Sequence, residues 1–377
     1  MPNRSINRLC LIGVSFAGAA LLMWGCRARP QPQETKPVAA APAPVPLPSP
    51  SPPPPPPPPP PFRHVVFPTD QQGLLDTNRA GVFQPTAAGN PESPLFGTVR
   101  MANRGRRVLP SFHEGIDIAP TQRDRHGLPL DAVHAVAAGS VGYISRAPGN
   151  SNYGIYVVLL HPDPVGPIYT LYAHLAQVAG GLQPGQPVQA SQIIGTMGHT
   201  PPAIIPRERA HTHFEIGVIA NAGFDRWFRS QRLKPDHGIY NGWNLLGTDP
   251  LAFFRHQRDI PDFDFGKHLA RIPHAFEILV VSALPLDYFH RYPSLWTTPQ
   301  FHGGGLVITC SENGVPLAGR QATDAEMQAL GKAKTAVLSV DEKVLGHNGC
   351  RLIVRSGSAW KLGEAGQRWM RILTYAP

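Results

Sequence analysis

Residues 211–216 read His211-Thr212-His213-Phe214-Glu215-Ile216 and lead into a run of alternating apolar residues. Alternate residues of a β-strand project from the same face, so a strand here would direct both histidines into one space. A metal site beside a proton acceptor needs such a pair, because one imidazole can hold the cation while the other moves a proton. Two polar residues on the solvated face of a sheet produce the same pattern. The pair alone leaves both interpretations open.

The composition indicates a globular protein with one unusual segment. The chain has 377 residues, of which 42% are hydrophobic, enough for two folded units and a sizeable core. Many of its 44 prolines lie in one run near the N-terminus, which indicates a linker. The net charge is +9, but the basic residues are scattered and form no block, so we expect a solubilising surface and no nucleic-acid partner.

The N-terminus has the order of an export signal. Arg4 and Arg8 precede an apolar stretch, 9–24, that is too short to span a membrane comfortably. The stretch ends at Gly25-Cys26, and a small residue before a cysteine resembles the processing site of bacterial lipoproteins, where the cysteine is acylated. We expect export to the cell envelope, in the periplasm or on the outer surface, with Cys26 as a candidate membrane tether. A plain signal peptide and an uncleaved anchor are the alternatives.

Changes in composition and the positions of Gly and Pro divide the chain into five segments. They are a signal peptide (1–26), a Pro-rich linker (27–62), an irregular lead-in segment (63–95), a β-domain (96–254) and a C-terminal accessory domain (255–377). The linker contains an unbroken proline run, which cannot form helix or sheet and favours extended polyproline II, a stiff spacer.

The two folded segments differ in pattern. Between 96 and 254, runs rich in Val, Ile and Tyr between Gly and Pro predict the strands of a mainly β, compact antiparallel domain, at 133–137, 141–144, 155–160, 169–172 and 213–219. Residues 255–377 predict a small α+β domain with strands at 276–281, 306–309 and 351–354. In it, Thr323 and Glu326 have the spacing of a helix capping box. Cys310 and Cys350 are the two cysteines of the folded part, and in an exported chain we expect them to form a disulfide.

A second polar cluster has the donors that zinc prefers. His113 and Asp117 lie four apart, on one face of either a strand or a helix. Together with one histidine of the 211–213 pair they would supply three ligands and leave a fourth position for water. The spacing does not tell which member of that pair binds the metal. A third element, Tyr172-Ala173-His174-Leu175, ends a predicted strand.

The order and spacing of these motifs resemble the lysostaphin-type zinc endopeptidases, the LytM or M23 family. The resemblance covers roughly 96–254 and rests on five stretches, 113–117, 152–154, 172–175, 185–198 and 211–215. It implies a compact antiparallel β-domain with an active-site groove over one sheet and one Zn²⁺ in its floor. It also implies that His113, Asp117 and His213 are zinc ligands and that His211 and His174 are catalytic.

The activity implied by the resemblance is hydrolysis of peptide bonds in the cross-links or stem peptides of bacterial peptidoglycan, in cell wall remodelling. The alternative within the same fold is a non-catalytic LytM-like protein that binds the wall or activates another hydrolase. A surface adhesin or structural lipoprotein is a third interpretation, in which 255–377 carries the function.

Several neighbouring residues have more than one interpretation. Residues 200–210 are Pro-rich and longer than the link expected in the family, and they predict either a groove wall, with Arg207 and Arg209 meeting substrate carboxylates, or a solvated loop. Glu215 shares a strand face with His213 and is a candidate outer support for it. Glu114 should point away from the ligands. Four other histidines are expected to be structural: His126, His134, His161 and His199.

Overall fold

A computed structural model of the chain describes residues 62–104, 107–234 and 237–376. The predicted signal peptide, with Cys10 and Cys26, and residues 27–61 of the predicted linker lie outside these residues. The described residues pack as one compact unit. Within them, no helix is both long enough and apolar enough to cross a membrane.

Short strands predominate in this part of the chain. In chain order they are β1 (Val99–Arg104), β2 (Arg107–Phe112), β3 (Ile116–Ile118), β4 (Ala132–His134), β5 (Gly139–Ser145), β6 (Tyr156–His161), β7 (Ile168–Ala173), β8 (Gln177–Val178), β9 (Pro187–Val188), β10 (Ile193–Thr196), β11 (Thr212–Ile219), β12 (Leu245–Thr248), β13 (Phe276–Ser282), β14 (Gly304–Cys310), β15 (Pro316–Gln321), β16 (Thr335–Val340), β17 (Ile353–Ser356) and β18 (Ala359–Leu362).

The helices are few and short. They are α1 (Phe224–Ser230), α2 (Pro250–Asp259), α3 (Phe265–Leu269), α4 (Asp287–Arg291), α5 (Asp324–Leu330), α6 (Glu342–Leu345) and α7 (Glu364–Leu373). The predicted capping box is present at α5, where Thr323 Oγ1 accepts the backbone N–H of Glu326 and the Glu326 carboxylate accepts that of Thr323. α2 begins with the Asp249 carboxylate accepting the N–H of Leu251 and with Pro250 in its first turn.

β11 is the centre of the larger sheet. The strand order is β12-β11-β7-β6-β5-β9, all antiparallel, and β3 pairs with β11 on the side that β12 occupies further along the strand. Every residue of β11 is buried, because its two faces enter different clusters. Phe214, Ile216 and Val218 enter the main core, and the opposite face meets a small cluster that includes Tyr169 and Leu171.

The second sheet has the order β15-β14-β13-β16 and lies in the 255–377 part of the chain. One continuous cluster of buried side chains joins it to the larger sheet, with Phe214 and Phe253 from one part and Phe276 and Ile308 from the other. The mainly β, antiparallel fold class is confirmed. The division into domains at residue 254 stays a prediction.

Most predicted strands overlap observed ones, with shifted ends. The largest differences are at 133–137, where β4 ends at His134, and at 351–354, where β17 begins at Ile353. Ala135, Val136 and Ala137 are buried although they lie outside a strand, because they fill the core beneath the sheet. The predicted strand at 133–137 is too long because the apolar residues 135–137 are buried in a connecting segment and not in the strand.

The predicted disulfide between Cys310 and Cys350 is wrong, since both are free thiols. Cys310 is fully buried at the end of β14, and its Sγ lies 3.8 Å from the carbonyl oxygen of Ile308. Cys350 lies elsewhere, in a cavity that Glu114 also lines. Burial raises the pKa of both thiols well above its ordinary value, which favours the unreactive protonated form.

Candidate metal centre

The register of β3 against β11 brings two predicted ligands together. Asp117 lies directly opposite His213 in the antiparallel pair. His113 precedes β3, and its backbone is held by two hydrogen bonds, from its own N–H to Thr98 O (3.1 Å) and from the N–H of Gly97 to its carbonyl oxygen (3.0 Å). All three side chains are buried at one end of the sheet.

Gly115 permits this close approach of β3 to β11. A Cβ at this position would collide with the carbonyl oxygen of Phe214 and would lie 3.0 Å from Cε1 of His213. Only glycine leaves room for the neighbouring strand there. The glycine at the centre of the His113–Asp117 spacing is therefore a packing requirement of the site.

Three donor atoms converge on one point. His113 Nε2 lies 3.1 Å from Asp117 Oδ1 and 3.1 Å from His213 Nδ1, and the distance from His213 Nδ1 to Asp117 Oδ1 is 2.9 Å. The edge of a tetrahedron with bonds of about 2.0–2.1 Å is about 3.3 Å, so a small outward adjustment accommodates Zn²⁺.

The outer nitrogens of both histidines predicted as ligands are hydrogen-bonded to acceptors. His113 Nδ1 donates to the carbonyl oxygen of Leu95 (3.0 Å), and His213 Nε2 donates to Glu215 Oε1 (2.9 Å). These bonds leave His113 Nε2 and His213 Nδ1 as the inward-facing atoms that could bind a metal, and zinc-binding histidines usually donate their other ring N–H in this way. The residues present therefore fit a zinc ion.

Glu215 is held by more than its histidine partner. Its Oε1 also accepts the hydroxyl of Tyr153 (2.7 Å), and its Oε2 accepts that of Tyr169 (2.9 Å). Three donors thus satisfy the oxygens of a fully buried carboxylate, which would otherwise be costly to bury. The position agrees with the predicted outer support of His213.

The electrostatics favour an ionised Asp117. Desolvation works to raise the pKa of Asp117, but the charges of His113 and His211 and hydrogen bonds from His113 and His213 outweigh it and hold the pKa well below its ordinary value. Desolvation lowers the pKa of His113. Desolvation also works to lower the pKa of His213, but Asp117 and Glu215 raise it to about 9, so metal binding there requires loss of the Nδ1 proton.

The two predicted catalytic histidines lie beside this group. His211 Nε2 is 3.6 Å from Asp117 Oδ1, and the His174 and His211 ring centroids are 4.8 Å apart. Each Nδ1 donates to a backbone carbonyl, that of Arg209 for His211 (2.6 Å) and that of Thr200 for His174 (2.8 Å). Desolvation lowers both pKa values, so each ring is neutral near pH 7 with an unprotonated Nε2.

All five predicted site residues are thus brought together, while their individual roles stay predictions. His174 reaches the group from the end of β7 with a backbone φ of 63°, in the left-handed region that few residues other than glycine occupy. Arg100, which the sequence did not indicate, also contacts the site, and its Nη2 lies 2.6 Å from Asp117 Oδ2. It lies in a hairpin 13 residues before His113, a separation that no motif spacing indicates.

The four histidines expected to be structural have other partners. His161 bonds Ala138 O and Thr170 Oγ1, His134 pairs with Asp70, His199 bonds Ile205 O, and His126 contacts Arg125.

In the 200–210 segment, both arginines bind backbone carbonyls of the chain itself. Arg207 donates to the carbonyl oxygen of His126 (2.8 Å) and Arg209 to that of Pro85 (3.3 Å). These bonds fasten the segment to its neighbours. The predicted contact of the two arginines with substrate carboxylates is untested.

Comparison with known proteins identifies the region that contains the site. Residues 111–223 match the family model described as Peptidase family M23. Curated proteins gave no match to the chain. The matched range contains all five predicted site residues but not Arg100.

Several solved structures are similar to part of the chain. Csd3 of Helicobacter pylori is 25% identical over 33% of this chain and 28% of its own, with a TM-score of 0.23. The catalytic domain of lysostaphin from Staphylococcus simulans is 20% identical over 43% of this chain and 89% of its own, with a TM-score of 0.27. A zinc containing peptidase from Vibrio cholerae is 25% identical over 36% of this chain and 35% of its own, with a TM-score of 0.24.

The chain spans less than a third of the length of the Csd3 structure. All three TM-scores are low, so the assignment rests on the family model and on the motifs within it. Residues 111–223 therefore match peptidase family M23, and this segment carries the buried His-Asp-His group.

Proposed function

We propose that the chain is a zinc-dependent endopeptidase that hydrolyses peptide bonds in the cross-links or stem peptides of bacterial peptidoglycan. The observation that carries this proposal is a complete donor set, His113, Asp117 and His213, with two neutral histidines beside it. The M23 family match supports the peptidase class and peptidoglycan as the substrate.

His113, Asp117 and His213 would hold the metal, and their donor atoms leave a fourth position for water. Zinc bound there would lower the pKa of that water toward about 7 and polarise the scissile carbonyl. The protein contributes fixed ligand directions, since Leu95 O and Glu215 hold the outer nitrogens of the two imidazoles.

His211 is the proposed general base. Its Nδ1–H is committed to Arg209 O, so its Nε2 carries a lone pair toward the site. Burial lowers its pKa, which keeps the ring neutral and able to accept a proton at neutral pH. After accepting the proton of the attacking water at Nε2, the same atom can return it to the leaving amine.

His174 has the same tautomer, which narrows its role. Because Nδ1–H donates to Thr200 O, its Nε2 is an acceptor while the ring is neutral. Desolvation holds its pKa well below the ordinary value, so an imidazolium that could donate to an oxyanion is disfavoured. We therefore assign His174 to orient the attacking water by accepting a hydrogen bond from it.

Zinc dependence of wall digestion tests the proposal. Purified peptidoglycan should be solubilised by the zinc-loaded protein, not by chelator-treated protein, and again after zinc is restored. Asp117→Ala should be inactive throughout. Digestion that survives removal of zinc would contradict the mechanism. A non-catalytic wall-binding protein or hydrolase activator predicts instead that the wild type releases no fragments while Asp117→Ala still binds the wall or stimulates its partner.

We also propose that the chain is exported and held in the cell envelope by a lipid on Cys26. The support is the basic-then-apolar order of residues 1–26 and the small residue before the cysteine. Cys26→Ser should release the protein from the membrane fraction into the soluble envelope fraction. Unchanged fractionation of this variant would contradict the tether.

A further inference from the structure

We propose that Arg100 is the positioning residue of Asp117 and that residues 93–100 form an outer support of the metal centre. This stretch precedes the family-matched segment, which begins at residue 111. The inference rests on the proposed function to the extent that it treats His113 and Asp117 as zinc ligands.

The two oxygens of Asp117 have separate partners. Oδ1 faces the convergence point, 3.1 Å from His113 Nε2 and 2.9 Å from His213 Nδ1. Oδ2 accepts Arg100 Nη2 at 2.6 Å. A carboxylate anchored through one oxygen has a fixed direction for the other. Arg100 therefore commits Asp117 to binding a metal through Oδ1 alone.

Arg100 is itself held in place. Its Nε donates to the carbonyl oxygen of Ser93 at 2.7 Å, and Nη2 contacts the same oxygen. The side chain of Arg100 is 25% exposed and that of Asp117 is 4% exposed, so solvent screens the pair weakly. A planar guanidinium can bind both acceptors in one fixed geometry, whereas a lysine ammonium on a flexible stem cannot hold the same fork.

The same stretch supports the other ligand on its side of the site. Leu95 O accepts His113 Nδ1–H (3.0 Å), and Pro94 O accepts the backbone N–H of Asp117 (2.9 Å). Consecutive carbonyls of Ser93, Pro94 and Leu95 thus contact Arg100, Asp117 and His113. Two of the three ligands take their orientation from this stretch.

Positioning and charge make opposite predictions for the loss of Arg100. A cation near the site repels a dication, so a purely electrostatic role predicts that its removal tightens zinc binding. A positioning role predicts weaker binding, because a freed Asp117 must be ordered when the metal binds. The carboxylate of Glu215 lies beside His213 and offsets the positive charge that Arg100 brings to the site. The positioning effect is therefore the one we expect to dominate.

Zinc affinity measured by competition with a chromogenic chelator tests the inference without any substrate. Arg100→Gln should weaken zinc binding about 10–100-fold, the usual loss on removing a hydrogen-bond partner of a metal ligand. Arg100→Lys should fall between Arg100→Gln and the wild type. Zinc binding by Arg100→Gln that is as tight as wild type, or tighter, would overturn the proposal.

Arg291→Gln is the matched control. Arg291 likewise pairs with a carboxylate, Asp287 (2.8 Å), and donates to a backbone carbonyl, that of Ile219 (2.9 Å), and it is partly buried. This variant should lose stability comparably to Arg100→Gln but keep wild-type zinc affinity. An equal loss of zinc affinity in both variants would show that the Arg100 effect is general destabilisation.

A zinc-free crystal structure of Arg100→Gln gives a second readout. Asp117 Oδ1 should move from its position between His113 and His213, and an unmoved carboxylate would overturn the proposal. Wall digestion reports separately on the proposed function. A wild-type protein that binds zinc but releases no fragments would refute the peptidase activity, while the zinc affinities of the Arg100 variants still decide the positioning role.

Discussion

His211 lies one residue before β11 and His213 lies within it, and both rings approach Asp117, yet their other partners differ. His213 Nδ1 shares the convergence point with His113 and Asp117, and its Nε2 is bonded to Glu215. His211 is committed to a backbone carbonyl through Nδ1, with its Nε2 3.6 Å from Asp117. His211 therefore has the environment of a proton acceptor, and His213 has that of a metal ligand.

This difference predicts unequal effects of two alanine substitutions. His213→Ala should lose zinc and activity together, because a ligand is removed. His211→Ala should retain zinc and lose about 10²–10⁴-fold in hydrolysis, the usual contribution of a general base. Zinc content by elemental mass spectrometry and the rate of wall digestion measure the two effects. Loss of zinc from His211→Ala would contradict the assignment.

The candidate site could be predicted from the sequence only as a set of residues. Period-2 spacing indicates that His211 and His213 share a face, but it does not indicate that Asp117 pairs opposite His213. That contact depends on strand register, which a single sequence specifies poorly, and the division of roles came from the family resemblance. No sequence pattern indicates a role for Arg100, because its partner Asp117 lies 17 residues away on another strand.

At the scale of elements, Gly217 is required by the pairing of β11 with β12. A Cβ on this residue would collide with the carbonyl oxygen of Leu246. Gly217→Ala should therefore lower the free energy of unfolding by about 3 kcal/mol, since overpacking forces the strands apart. Gly149→Ala is the control, because a Cβ there meets nothing within 4 Å. Equal midpoints of urea unfolding for the two variants would contradict this packing.

His161 at the end of β6 predicts a loss of stability in acid. Its burial lowers the pKa from 6.5 to about 4. In the unfolded chain the His161 ring binds a proton below about pH 6.5, whereas in the folded chain it does so only below about pH 4. The free energy of unfolding therefore falls as the pH decreases through this window. The shift corresponds to about 3 kcal/mol.

Replacing the ring tests this acid effect. His161→Gln should lose about 3 kcal/mol less than the wild type between pH 7 and pH 4, as measured by urea unfolding at each pH. The other buried histidines contribute equally to both proteins, so the difference reports on residue 161. Parallel pH profiles for the two proteins would contradict the prediction.

The elements themselves were more predictable than their ends and links. Alternation located β11, the apolar run 276–281 located β13, and residues 323–326 located α5 through its capping box. The disulfide was wrong because export and cysteine count say nothing about the distance between two thiols, and Cys310 faces the core. Local patterns report on one element at a time, whereas a disulfide depends on how elements pack.

In the molecule as a whole, the C-terminal part supplies hydrogen-bond partners to polar groups beside the larger sheet. Asn221 Nδ2 donates to the carbonyl oxygens of Ile372 (2.9 Å) and Tyr375 (2.8 Å). The hydroxyl of Tyr292 donates to Pro167 O (2.7 Å) and accepts the N–H of Ile219 (3.0 Å). Removing the C-terminal part would leave these buried groups without partners.

A truncated chain should therefore fold poorly. Residues 62–377 should unfold in urea in one cooperative transition, whereas residues 62–254 should lack a cooperative transition because the core is cut and buried polar groups lose their bonds. Circular dichroism during urea titration measures both. A truncated chain that unfolds cooperatively at the full-length midpoint would instead show two independent domains, as the sequence pattern predicts.

The proposed activity of the His113-Asp117-His213 group and its two neighbouring histidines is cleavage of peptide bonds of the cell wall. Mass spectrometry of the fragments released from purified peptidoglycan by zinc-loaded protein tests it most directly. We expect fragments with a newly freed amino group at one peptide bond and intact glycan chains, and none from His211→Ala. Absence of fragments, cleavage within the glycan alone, or the same fragments from His211→Ala would contradict it.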